Sequence, residues 1–160
     1  IDGVVHAAGI LEDKLFNQKE WKSFEQVYQT KVNPLHVIID ELLPELKLLI
    51  LFSSVSSAFG NKGQADYAAG NSVLDVASMI LSEKQKDLRV LSFNWGPWKG
   101  AGMVSSGLES EFKKRNVSLI PLEEGSEVFV NELKYGKESS VMIMGGKGSD
   151  IESYLEVIQA

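Results

Sequence analysis

A hydroxyl, a phenol and an amide recur at short spacing in the middle of this chain: Ser54, then Tyr67 thirteen residues later, then Asn71 one helical turn beyond. Ser54 stands where an apolar run over residues 46–53 ends, and Tyr67 opens the next helical pattern. The junction between a strand's carboxyl end and the following helix is where open α/β sheets bind ligands. A set of this kind can polarise a carbonyl oxygen and hand it a proton. A phenol of ordinary pKa near 10 is a poor acid–base catalyst at neutral pH unless a cation stabilises its phenolate. Such chemistry therefore needs an ammonium group close by. Taken singly, Tyr67 reads as a helix-face aromatic, Ser54 as a turn former and Asn71 as a local hydrogen-bonding residue. Together, with Gly63-Gln-Ala-Asp66 ahead of the tyrosine, they read as a site.

The elements that must position these residues follow from periodicity. Residues 1–7 are short and β-branched and are followed by Ala8-Gly9, as a buried strand is. Residues 17–43 carry helical spacing (Trp21, Phe24, Val27, Tyr28, Val32, Leu35), with Pro34 expected to kink or restart the helix. Residues 46–53 form the clearest buried strand and 64–86 a helix, followed by a third strand over 89–95 that stops at Gly96-Pro97. A Gly/Ser-rich stretch over 99–107 reads as a lid, within a broader lid region at about 99–120. Short helices at 108–115 and 121–133, a strand at 140–144 and a terminal helix at 149–158 complete the order. Alternating strands and helices predict a parallel sheet covered on both faces.

Composition narrows the alternatives. The 160 residues are 44% hydrophobic and 24% charged, ordinary for a globular domain. A net charge of −6 argues against nucleic acid as the main partner. There is no cysteine, so disulfides and thiolate metal sites are excluded, and the two histidines, His6 and His36, lack metal-ligand spacing. No apolar run is long enough to span a bilayer.

The run His6-Ala-Ala-Gly9, Leu11-Glu-Asp13, Lys31, Phe52-Ser-Ser54, Gly63-Gln-Ala-Asp-Tyr67-Ala-Ala-Gly-Asn71 and Asn94-Trp-Gly-Pro-Trp98 resembles the ketoreductase domains of modular polyketide synthases, members of the short-chain dehydrogenase/reductase superfamily. The resemblance implies a Rossmann-like three-layer parallel sheet. It also implies that residues 1–160 form one partial domain, the C-terminal half of the catalytic subdomain, since no Gly-x-Gly-x-x-Gly occurs in them. By resemblance Tyr67 is the proton donor, Ser54 binds the carbonyl oxygen, Lys31 supplies the cation and Asn71 orients the site. Most of the superfamily has lysine at position 71, and the exchange with Lys31 fits the polyketide ketoreductases. The cofactor is expected to be NADPH, met by Ala7, Ala8, Gly9, Tyr67, Gly96, Pro97 and Trp98. Stereocontrol falls to Leu11 and Asp13, a partial match to the Leu-Asp-Asp fingerprint of enzymes forming the D-hydroxyl, and to Phe59, where the opposite class has tryptophan.

The implied partners are an acyl carrier protein bearing a phosphopantetheine-linked β-ketoacyl group and the first half of the same domain. The implied location is cytoplasmic. The Lys113-Lys114-Arg115 triplet reads either as a carrier contact or as a solvated helix face. Two further expectations concern the fragment alone: it is inactive, and the open edge of its first strand recruits a second chain. A related dehydrogenase acting on free substrates and a noncatalytic structural subdomain stay open as other readings.

Overall fold

The computed structural model describes residues 1–100, 103, 109, 112, 114 and 117–146. Four strands, β1 (Gly3–His6), β2 (Leu48–Ser54), β3 (Arg89–Trp95) and β4 (Ser140–Ile143), form one sheet in sequential order with every neighbouring pair parallel. The crossovers are α1 (Trp21–Val37), α3 (Ala65–Lys84) and α4 (Leu122–Tyr135), with a one-turn helix α2 (Ser56–Phe59) after β2. This is the parallel three-layer arrangement that the sequence predicts, with strand bounds within two residues of expectation.

Strand alternation sorts the core. Leu49, Leu51 and Val90 point to one face, where Leu35 of α1 and Leu74 and Leu81 of α3 cover them. Ile50, Leu91, Phe93 and Trp95 point to the other, under Phe129 and Leu133 of α4. A fully buried leucine or phenylalanine is worth about 1.5–3 kcal/mol relative to exposure. The central strands, buried on both faces, therefore hold the sheet. At Gly125 a Cβ would lie 2.4 Å from Trp98 Cη2, so only glycine lets α4 come this close.

One expectation needs correcting, and two helices bury unexpected faces. Pro34 neither breaks nor restarts α1, which runs on to Val37 and passes into a π-helical turn over Ile38–Leu42. A proline one turn from the helix end removes a single i→i−4 bond, and the wider turn just beyond absorbs the mismatch. Trp21, which opens α1, is 74% exposed and stacks on Phe24, which stacks on Tyr28. On α3 the apolar residues Val76 and Ile80 face outward, while Gly70, Asn71 and Ser78 are buried against the sheet and α1. The helix at 149–158, most of the stretch 99–107, and the helix at 108–115 apart from Glu109, Phe112 and Lys114 lie outside the described residues. No helix among the described residues is long and apolar enough to cross a membrane.

Candidate functional site

The carboxyl ends of β1, β2 and β3 bring the expected residues together. Ser54 is the last residue of β2, paired with Trp95. Its Oγ accepts hydrogen bonds from the Ser56 N–H at 3.2 Å and the Ser56 hydroxyl at 3.0 Å. Both acceptor positions are thus filled, and the Ser54 proton is left to be donated outward. Tyr67 lies in the first turn of α3 and Asn71 one turn later, fully buried. The Asn71 amide nitrogen donates to the Tyr67 carbonyl at 2.8 Å, while its Oδ1 is buried with no hydrogen-bond partner among the described residues.

Lys31 arrives from α1. It is 3% exposed, donates from Nζ to the Phe52 carbonyl at 2.6 Å, and sits over the Tyr67 ring with Nζ 5.7 Å from the centroid. Gly70 makes this approach possible, because a Cβ there would lie 3.1 Å from Lys31 Cβ. The buried His6 ring holds the helix end of the arrangement, its Nε2 bonding the Lys31 carbonyl at 2.8 Å. Burial lowers the His6 pKa, so the ring is neutral at pH 7 and donates to that carbonyl.

Electrostatics set the protonation states that proton donation needs. Burial raises the Tyr67 phenol, opposed by hydrogen bonding from Asn71 and Ser54, with Asp13 adding to the rise. Burial lowers Lys31 to about 8, opposed by attraction to Asp75. At pH 7 the phenol therefore carries its proton and the ammonium is mostly charged. The cation over the ring favours the phenolate that remains after the proton leaves.

The remaining expected residues occupy the rim. Ala7 and Ala8 are exposed just past β1, and Gly9 lies against the end of Lys31. Gly96 donates its N–H to the Ile143 carbonyl at 2.7 Å, and Trp98 bridges to Ile120 through the bonds of Lys99 and Pro97. The Trp98 ring packs 4.6 Å from that of Trp95 and beneath α4, so the Gly96-Pro97-Trp98 turn is fixed to the sheet. Leu11 is half-buried, and the Asp13 carboxylate accepts from Gln64 Nε2 at 2.9 Å. Phe59 joins the cluster of Val55 and Val117 beside Ser54.

Sequence reading missed Asp75. Its carboxylate accepts from Ser92 at 2.6 Å and from Ser57, and it is the counter-charge that Lys31 feels. The signal was available: Tyr67, Asn71 and Asp75 stand at i, i+4 and i+8 on one helical stripe. No group of three His, Asp or Glu side chains capable of holding a metal occurs among the described residues.

Comparison with known proteins shows the family and the fold. The family described as the KR domain matches residues 1–100. Over 146 residues, 91% of this chain and 5% of the relative, the sequence is 35% identical to a polyunsaturated fatty acid synthase polypeptide of Thraustochytrium sp.. It is 32% identical to polyketide synthase PksN of Bacillus subtilis over 92% of this chain and 3% of that protein. The chain thus spans a small part of the length of these relatives. Among solved structures, a ketoreductase domain from the bacillaene assembly line superposes with a TM-score of 0.80 at 30% identity, covering 97% of this chain and 39% of that one. A ketoreductase from the first module of phoslactomycin biosynthesis in Streptomyces sp. gives 0.82 at 30% identity, covering 93% and 34%. The chain belongs to the KR-domain family, the ketoreductase domains of polyketide synthases, and has the short-chain dehydrogenase/reductase fold.

Proposed function

We propose that the protein containing this chain reduces a 3-oxoacyl thioester, held on the phosphopantetheine arm of an acyl carrier protein, to the 3-hydroxyacyl thioester with NADPH. The observation that carries the reading is the Lys31 ammonium over the Tyr67 ring, Nζ 5.7 Å from its centroid, at the strand end where Ser54 stands.

The residues present suit the nicotinamide end of such a cofactor. Ala7 and Ala8 leave exposed backbone next to Gly9, which lies against Lys31, and among the described residues the Lys31 ammonium donates to the Phe52 carbonyl. When bound, NADPH supplies hydride to the carbonyl carbon. Tyr67 donates its phenolic proton to the carbonyl oxygen as negative charge develops there. Ser54, its lone pairs occupied by Ser56, donates a hydrogen bond to the same oxygen. Lys31 holds the resulting phenolate, and the Asn71 Oδ1, unpartnered among the described residues, offers an acceptor that can orient a solvent hydroxyl bringing the replacement proton to the phenol. Leu11 and Asp13 on the loop after β1, with Phe59 where the opposite class has tryptophan, favour the D-configured hydroxyl. β1 has only β2 as a strand neighbour among the described residues, which leaves its outer edge for the first half of the domain or for another chain.

The test is Tyr67→Phe in the full-length protein, assayed by NADPH consumption with a 3-oxoacyl thioester. Removing one positioned proton donor should lower kcat by about 10²–10⁴. Equal turnover by both proteins would end the assignment.

A further inference from the structure

The loop between β1 and α1 carries Leu11 and Asp13 but has little regular structure, only a single 3₁₀ turn over Phe16–Gln18. Its fastening to the catalytic helix is specific. Lys19 Nζ reaches the Asp66 carboxylate at 2.6 Å and the Glu12 carbonyl at 2.7 Å, and both charged side chains are 2% exposed. Asp66, the residue before Tyr67, also accepts the Tyr67 N–H on its other oxygen at 2.9 Å. One ammonium therefore joins the loop's tip directly to the turn that presents the catalytic phenol. Two further bonds run parallel: Lys14 N–H to the Gly63 carbonyl at 3.1 Å, and Gln64 to Asp13.

We propose that Lys19 is a positioning residue whose buried pair with Asp66 clamps residues 10–14 against the start of α3. In doing so it sets how the substrate meets Tyr67, and hence which hydroxyl epimer forms. A fully desolvated ion pair adds little net stability compared with an apolar pair of similar volume. Its distinctive contribution is directional: two acceptors on two different segments are held at bonding distance by one donor. Neither Lys19 nor Asp66 reaches the phenol oxygen, so neither is a catalytic group. The proposal concerns the specificity of the reductase reading and rests on it for its kinetic readouts.

The test compares wild-type full-length protein with Lys19→Met, Lys19→Arg and the double variant Lys19→Met/Asp66→Asn. The double variant leaves no unpaired charge in the buried site and keeps an acceptor for the Tyr67 N–H. Hydrogen exchange of amides 10–15, KM and kcat separately, and the epimer ratio of the product are measured. Loss of a charge-assisted bond predicts loop exchange faster by roughly ten- to a hundredfold in the two Met-bearing variants. A raised KM and a mixed-epimer product should accompany it, with partial recovery in Lys19→Arg. Wild-type exchange in the double variant overturns the clamp. Faster exchange with wild-type KM and epimer ratio overturns the positioning role, since the pair would then be structural only. If the wild-type protein reduces no 3-oxoacyl thioester, the reductase reading fails on its own, and the exchange data still decide the clamp.

Discussion

Replacing Lys31 with methionine should separate catalysis from stability in a way that pH reveals. The ammonium is held at about 8 against an ordinary 10.5. That difference corresponds to about 3 kcal/mol by which the fold is weakened when the lysine is charged. Below pH 8 both native and unfolded chains hold the proton, and the cost is present in full. Between 8 and 10.5 the unfolded chain binds a proton that the native state has released, so stability rises with pH; above 10.5 the contribution is flat. By pH 9.5 about 2 kcal/mol of the cost should have been recovered. Lys31→Met removes this dependence and also removes the bond to Phe52, a loss of about 1.5–3 kcal/mol that offsets much of the gain at pH 7. The midpoints at neutral pH should therefore lie close together while their pH trends diverge. The raised Tyr67 phenol acts with the opposite sign above pH 10, in both proteins, and is avoided by stopping at 9.5. The assay is urea denaturation of the full-length proteins from pH 7 to 9.5, with kcat/KM measured alongside. Wild-type kcat/KM should fall above about pH 8 as its stability climbs. Parallel stability curves, agreeing within roughly 0.5 kcal/mol across the range, would show that Lys31 is not the strained cation described above.

Two other substitutions probe neighbouring contacts. Asp75→Asn removes the charge that holds Lys31 up, so the alkaline fall in kcat/KM should move below the wild-type value; a pH–rate profile with an unmoved limb would count against it. Gly125→Ala places a methyl 2.4 Å from Trp98 Cη2 and 2.8 Å from Ile120 Cγ2. Overpacking of this kind costs about 1–3 kcal/mol, more than the ~1 kcal/mol that alanine gains over glycine inside a helix, so Tm should drop.

The sheet and its order were legible because parallel strands buried on both faces read as continuous apolar runs bounded by turns, and residues 89–95 matched the observed strand to the residue. The helices were less so. On α3 the inward stripe includes Gly70, Asn71, Leu74, Ser78 and Leu81, three of these five small or polar, and an apolar count therefore selects Val76 and Ile80, which are exposed. The polar inward positions exist because α1 must come close enough to deliver Lys31, and because Asp75 needs Ser92 and Ser57 as partners. The one-turn α2 has no periodicity to find, being four residues long. Lys19 and Asp66 escaped for a different reason. Each alone looks like an ordinary surface charge, and only the fold brings positions 47 residues apart within bonding distance.

These polar burials share a direction. The described site keeps an ammonium, an unpartnered amide oxygen and a carboxylate inside a layer that apolar residues could fill more cheaply. Each opposes folding in part and each constrains a neighbour: Lys31 the phenolate, Asp75 the charge of Lys31, Asp66 the loop over the helix start. The Asn71 Oδ1 is buried with no hydrogen-bond partner among the described residues, a costly state for an amide oxygen. A scaffold whose sole task was to pack against a partner would gain by replacing Lys31 and Asn71 with leucine and alanine. Their presence near Tyr67, at the carboxyl rim of the sheet, fits the proton-transfer role proposed above better than a purely structural one.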